Sequence, residues 1–228
     1  MATNHSLEKI HALLAHAAKS DEAAENLRGL TKLKVAGTSE WRGRACVPPG
    51  TLLDRVITAF ERGSNIALEL ALLVTLHIVA AQLLCRGVFL ERSGNKIYPT
   101  LWSLLLAPSG AGKTFTQKTI SNGIGATGLE ILGLSGAASA AALLQCLQER
   151  SVGLWVRDEF GQFVARFDRG DSCQNELKDA MLRLYDGAPL FRRSVTQGAI
   201  EVPEPKVTLL ALSVLETWPE CVSPTSMI

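Results

Sequence analysis

Residues 101–114 read Leu101-Trp-Ser-Leu-Leu-Leu-Ala-Pro-Ser-Gly-Ala-Gly-Lys-Thr114. The first six, from Leu101 to Leu106, form the nearly continuous apolar run that is typical of a buried parallel strand. A loop of small residues then leads into Lys113 and Thr114, and a segment compatible with a helix follows from Phe115 to Ser121. A strand, a small-residue loop, Lys-Thr and a helix form the layout of a phosphate-binding P-loop. The pattern therefore predicts a nucleotide-binding loop directly after a central strand.

The residue types in this loop suit the chemistry of ATP phosphates. Gly110 and Gly112 allow backbone conformations closed to bulkier residues, so that successive N–H groups can converge on phosphate oxygens. Lys113 is expected to reach the β- and γ-phosphates, and Thr114 to complete the shell of a Mg²⁺ ion. The predicted ATP-binding residues are Pro108, Ser109, Gly110, Ala111, Gly112, Lys113, Thr114 and Phe115. The alternative is a glycine-rich turn that happens to precede Lys-Thr, and Ala107 stands where the strict pattern has its first glycine.

A second apolar run, Val152-Gly-Leu-Trp-Val-Arg-Asp-Glu159, ends in two acidic residues. A mostly apolar strand followed by Asp-Glu, downstream of a P-loop with a strand and a helix between, is the Walker B arrangement of P-loop ATPases. Asp158 is expected to hold the Mg²⁺ ion, directly or through a water. Glu159 is expected to orient and deprotonate the water that attacks the γ-phosphate.

Composition favours one globular domain with an appendage. The chain has 228 residues, of which 47% are hydrophobic and 20% charged, which argues against disorder. The net charge of +1 gives no global attraction to nucleic acid, so any such contact must be local. The five cysteines have no C-x-x-C spacing, and no signal peptide opens the chain. These features predict reduced thiols, no zinc site and a cytoplasmic location.

One segment, Ile66 to Cys85, is apolar and long enough to span a bilayer. Glu69 near one end and His77 at the centre would both be costly in hydrocarbon. We therefore favour a buried helix that packs under the core, with His77 as a core histidine, and expect no membrane contact.

Residues 1–97 are predicted to form a helical N-terminal region, and residues 98–228 the ATPase core. Ser6 to Leu30 has apolar residues at helical spacing, and Leu52 to Arg62 predicts a helix capped by Thr51. Trp41, Arg42 and Arg44 could stack on a nucleobase or form ordinary surface. The further predicted elements are a strand at Arg86–Leu90, a turn at Glu91–Lys96, a strand at Leu129–Leu134 and a helix at Ala137–Glu149 capped by Ser135.

The C-terminal third predicts a helix, a hairpin and a third apolar strand. The helix runs from Asn175 to Tyr185 with Leu177, Met181, Leu182 and Tyr185 on one face, and the hairpin joins Phe191–Val195 to Ala199–Val202. Val207 to Leu212 is the strand, and Ser213 at its tip is either a sensor of the γ-phosphate or a simple strand-end serine. Arg193 on the hairpin, beside Arg192, is either an arginine supplied across a subunit boundary or a surface or DNA-facing residue.

Three strings together resemble a poorly characterised family of primase-helicase-like ATPases of phages, plasmids and integrated elements. They are residues 98–114, beginning Tyr98-Pro-Thr-Leu-Trp, then Asp158-Glu-Phe-Gly161 and Leu182-Arg-Leu-Tyr-Asp-Gly187. The order of motifs is also similar to that of additional-strand P-loop ATPases, which include AAA+ proteins and hexameric helicases. The similarity covers roughly residues 48 to 220, including a helical lead-in from Pro48 to Leu84.

The resemblance implies an α/β P-loop NTPase fold with a parallel sheet and helices on both faces, preceded by the helical region. It implies Mg²⁺-dependent ATP hydrolysis coupled to unwinding or remodelling of single-stranded or forked DNA during replication of a mobile element. A homo-oligomer and a primase partner belong to the same expectation. The alternatives are a nucleotide-binding regulatory or scaffold module with little turnover, and a P-loop kinase of small molecules.

The sheet order that the resemblance implies is 5-1-4-3-2, with the P-loop strand between the Ser213 strand and a fifth strand. No run after Val214 predicts that fifth strand, since Pro219 and Pro224 interrupt the segment. The P-loop strand is then expected to be an edge, with unpaired backbone groups that something must cover. We expect a fragment of a longer ATPase or an obligate partner of another copy, and weak ATPase activity for the chain alone.

Overall fold

The computed structural model of the protein describes residues 42–64, 67–112, 122, 134, 139–167, 172–194 and 198–222. These residues form an α/β arrangement that follows a short 3₁₀ turn, Arg42–Cys46. The helices are α1 (Leu52–Gly63), α2 (Leu68–Cys85), α3 (Ala140–Glu149), α4 (Phe160–Val164), α5 (Ser172–Tyr185) and α6 (Trp218–Cys221). The strands are β1 (Leu90–Arg92), β2 (Asn95–Ile97), β3 (Trp102–Ala107), β4 (Val152–Arg157), β5 (Leu190–Ser194), β6 (Gly198–Val202) and β7 (Lys206–Val214).

Several predictions lie outside the described residues. They are the helix at Ser6–Leu30, Trp41, the loop and helix residues Lys113 to Ser121, and the strand at Leu129–Leu134 apart from Leu134 itself.

A three-stranded parallel sheet forms the centre of the fold, in the order β3-β7-β4. The last strand of the three along the chain, β7, therefore lies in the middle, with Leu106 beside Ser213 on one side and Arg157 beside Ala211 on the other. The three predicted apolar strands and their parallel α/β arrangement are confirmed. Within the described residues no strand follows β7, and β3 pairs only with β7.

The apolar helix α2 covers one face of this sheet. Its Leu70, Val74 and Ala81 pack with side chains of β4 and β7, namely Leu154, Val156, Leu210 and Leu212. Among the described residues α2 alone is long and apolar enough to cross a membrane, and a core helix passes that same test of length and composition. The observed packing is that of a core helix, as expected from the sequence.

Three helices and the β5–β6 hairpin cover the opposite face. Leu143 and Leu147 of α3, Phe163 of α4 and Leu177 and Leu184 of α5 are all buried there. They pack with the sheet side chains Trp155, Val207, Leu209 and Ala211, which alternate with those that face α2. This alternation is the period of two that a strand buried on both sides requires. The prediction of helices on both faces is thus confirmed.

The sequence interpretation was wrong between α2 and β3. We predicted a strand at Arg86–Leu90 and a turn at Glu91–Lys96, but Gly87 adopts a left-handed φ of 68° just after α2. The strands begin later and form the antiparallel hairpin β1–β2. Ser93 and Gly94, with φ of 52° and 79°, make the two-residue turn, and positive φ at both positions matches the twist of tight hairpins.

Two helical predictions also need correction. The N-cap of α3 is Ser139 rather than Ser135, because the Ser139 hydroxyl accepts the Ala142 N–H at 3.3 Å. On α5, Leu182 and Tyr185 are exposed, and the buried face is completed instead by Ala180 and Leu184. The cap of α1 is as predicted, since the Thr51 side chain accepts the Asp54 N–H.

Candidate nucleotide-binding site

The predicted phosphate loop and the acidic pair lie at the same edge of the sheet. Because β3, β7 and β4 are parallel, their carboxyl ends meet at that edge. The loop after Ala107 leaves β3 there, and Asp158 and Glu159 leave β4 there. Adjacent strands are about 4.8 Å apart, so the two segments are separated laterally by roughly 10 Å. The carboxyl edge of an open parallel sheet is also where α/β proteins bind ligands.

The described part of the loop, residues 108–112, is a tight turn with two glycines at positive φ. Gly110 and Gly112 have φ of 83° and 86°, and the Ala111 N–H is turned back to the Pro108 carbonyl at 3.2 Å. A Cβ on Gly110 would meet nothing within 4 Å, so positive φ rather than crowding calls for glycine there. These residues fit a bound phosphate group. Lys113, Thr114 and Phe115 lie outside the described residues, and their roles stay predictions.

The acidic pair adopts a strained turn at the end of β4. Glu159 has φ of 52° and ψ of 40°, the left-handed region that a side chain makes unfavourable. The Asp158 Oδ1 accepts the N–H of Glu159 at 2.8 Å, which fixes the two residues relative to one another. Both side chains are exposed at the sheet edge. Left-handed residues other than glycine persist where the surroundings hold them, and they concentrate at functional sites.

A polar cleft of about 290 Å³ opens beside this turn. Its lining includes Asp158 and Glu159 together with Gln162, Arg157 and Arg166. The Arg157 guanidinium lies 4.5 Å from the Phe163 ring centre and donates to the Leu134 carbonyl at 3.4 Å. Burial, and then repulsion from Arg166, lowers the pKa of Arg157. Sequence reasoning missed both arginines, because the motif specifies an apolar strand and two acids but not the residues that flank them.

Ser213 lies between the two motifs on the central strand, and it is buried, with 3% of its surface exposed. Its Oγ accepts the N–H of Gly161 at 3.2 Å. The two predicted alternatives were a γ-phosphate sensor and a strand-end serine. The observed contact joins Ser213 to the helix that begins directly after Glu159, and both alternatives stay predictions.

Comparison with models of known protein families finds no family that matches the chain. No curated protein matches it significantly either.

The remaining candidate residues lie elsewhere. Arg193 is exposed on the separate β5–β6 sheet and does not line the cleft beside Glu159. Its neighbour Arg192 pairs with Glu176 of α5 at 3.0 Å. Arg44 pairs with Asp54 at 2.6 Å and donates to Thr58 at 2.9 Å, so its guanidinium ties the 3₁₀ turn to α1.

The string Leu182-Arg-Leu-Tyr-Asp-Gly187 ends helix α5 rather than reaching the cleft. Tyr185 contacts Trp102 edge-on, with ring centres 5.3 Å apart. The Trp102 indole N–H donates in turn to the Val207 carbonyl at 2.8 Å. This string therefore joins α5 to the amino end of the sheet.

Proposed function

We propose that this protein is a Mg²⁺-dependent ATPase with an additional-strand P-loop fold. The observation that carries the proposal is the strand order β3-β7-β4. A strand inserted between the P-loop strand and the strand that ends in Asp-Glu is the arrangement expected of that branch. It puts Ser213 between the phosphate loop and the acidic pair, all at the carboxyl edge of one parallel sheet.

The residues present suit ATP and Mg²⁺. The Gly110–Gly112 backbone and Lys113 would hold the phosphates, and Asp158 with Thr114 would hold Mg²⁺, which offsets the negative charge of the phosphates when bound. Asp158 is suited to this because its Oδ2 makes no hydrogen bond among the described residues, while Oδ1 is used by the Glu159 N–H. Glu159 would take the proton of the attacking water, since its carboxylate does not cap α4 and remains exposed.

Two substitutions test this assignment. Lys113→Ala should weaken ATP binding at least about ten-fold, because the phosphates lose their main positive charge, as measured by titration calorimetry. Glu159→Gln should keep ATP binding and lower turnover about 100-fold, because it removes the base but preserves the shape. Lys96→Ala on the β1–β2 hairpin and Glu201→Gln on β6 are exposed controls and should change neither quantity. If Lys113→Ala and the unmodified protein bind ATP with equal affinity, the P-loop assignment is wrong.

We further propose that turnover is coupled to remodelling of single-stranded or forked DNA by a homo-oligomer, with a primase as a partner. The support for this coupling is the resemblance of residues 98–114, 158–161 and 182–187 to the primase-helicase-like ATPases. ATPase rates measured with and without single-stranded DNA test it. Stimulation supports a motor, tight ATP binding without turnover indicates a regulatory module, and phosphate transfer to a small molecule without stimulation indicates a kinase.

A further inference from the structure

Helix α4 begins without a cap of its own. Its N-cap residue, Glu159, makes no side-chain cap bond, yet the first N–H groups of any helix need a partner outside the helix. Gly161 is the second residue of α4, and its N–H donates to Ser213 Oγ from β7, 52 positions further along the chain. Ser213 thus does for α4 what an N-cap side chain does in an ordinary helix.

The contact between Gly161 and β7 is so close that a side chain at that position would force its neighbours to shift. A Cβ on Gly161 would lie 2.9 Å from Ser213 Oγ and 3.1 Å from both Cβ and Sγ of Cys221. Gln162 Nε2 also donates to Cys221 Sγ at 3.6 Å. The first turn of α4 is therefore held against the end of β7 on one side and α6 on the other.

We propose that Ser213 is a positioning residue that holds Glu159 in its left-handed conformation through the Gly161 amide. The left-handed turn at Glu159 is unfavourable by itself and needs the surrounding structure to maintain it. The Ser213 bond fixes Gly161, in the first turn of α4 and two residues after Glu159. Only Asp158 and Glu159 then connect the end of β4 with the start of α4, and a tight turn is needed to do so. The catalytic part of the proposal rests on the proposed function, since it takes Glu159 as the base.

Two matched substitutions on β7 test the structural step by NMR. Ser213→Ala removes the hydroxyl that accepts Gly161 N–H. Thr208→Val removes another buried hydroxyl of the same strand, which accepts Leu101 N–H at the opposite end of the sheet. Ser213→Ala should speed hydrogen exchange of the Gly161 amide about ten-fold or more and change the backbone couplings that report φ at Glu159. Thr208→Val should change neither, and unchanged couplings at Glu159 in Ser213→Ala would overturn the proposal.

Turnover measurements test the catalytic step. Ser213→Ala should lower kcat about ten-fold while ATP affinity stays within about two-fold, because the hydroxyl acts on Glu159 rather than on bound ATP. In the Glu159→Gln background, Ser213→Ala should lower kcat further by less than about two-fold. The effects of residues that act through one another are not additive. A full ten-fold further loss in that background, or an equal loss of ATP affinity, would mean that Ser213 acts on the ligand directly.

The two proposals fail in distinguishable ways. If the unmodified protein neither binds nor hydrolyses ATP, the proposed function is wrong, and the NMR comparison alone then decides whether Ser213 positions Glu159. Gly161→Ala adds an independent check. It should disturb Glu159 less in the Ser213→Ala background, because the nearest clashing atom is then gone. A larger disturbance of Glu159 in the Ser213→Ala background would contradict the proposed contact.

Discussion

His77 is a titratable side chain in the middle of the core. It is 1% exposed on helix α2, and its Nδ1–H donates to the Leu73 carbonyl at 2.6 Å. Burial lowers the pKa of His77 below its ordinary value of 6.5, and the Leu73 and Leu209 carbonyls offset this shift only in part. The folded protein therefore holds His77 neutral at a pH where the unfolded chain already binds the proton.

The pH dependence of stability follows from that difference. Below pH about 6.5 the unfolded chain takes up the proton and the folded protein does not, so stability falls as the pH drops from there towards the folded pKa. We expect the free energy of unfolding to fall more between pH 7 and pH 5 in the unmodified protein than in His77→Leu. Urea titrations of both proteins at the two pH values measure this difference. An equal loss of stability in the unmodified protein and in His77→Leu would exclude His77 as the cause.

Some residues of the candidate site could be predicted from the sequence, and others could not. The proposed support of the left-handed φ of Glu159 is the hydrogen bond between Gly161 and Ser213, residues that no local pattern links. Asp158 and Glu159 could be found because an apolar strand precedes them. Arg157 and Arg166 could not, because their positions depend on how α4 packs against β4.

At the scale of elements, caps decide where helices begin. Ser139→Ala should destabilise the protein by about 1 kcal/mol, because the Ala142 N–H at the start of α3 loses its acceptor. Ser135→Ala is the matched control, since the sequence alone favoured Ser135 for the same role. Thermal melts of the two variants compare them directly. A larger loss for Ser135→Ala would contradict the observed cap.

Strongly patterned elements were predictable, and exposed ones were not. The three sheet strands follow from apolar runs, and α1 follows from Thr51 and its helical spacing. The β1–β2 hairpin has all six strand residues exposed, so it carries no alternation between buried and exposed positions. Its register depends on the Ser93-Gly94 turn, a weaker signal than a buried strand.

At the scale of the whole molecule, strand β3 is an edge of the sheet among the described residues. Among the described residues β3 pairs only with β7, and Leu104 is 40% exposed. An edge of this kind tends to pair with another chain, which agrees with the proposed homo-oligomer. We expect amides of residues 104–106 to exchange faster in dilute than in concentrated protein, as measured by hydrogen exchange. Residues 209–211 of β7, which have a strand on both sides, should be equally protected at both concentrations. Concentration-independent protection of residues 104–106 would exclude coverage by a second copy.

The central position of β7 has a consequence for synthesis on the ribosome. Residues paired between β3 and β7 are 107 positions apart in the chain. At about 5–20 residues per second, β7 is therefore made roughly 5–20 s after β3. Through that interval β3 lacks the described strand that pairs with it, and its apolar side chains are open to chaperones and to neighbouring nascent chains. The sheet closes only when β7 leaves the exit tunnel, so the folding of β3 and β4 waits for the synthesis of β7.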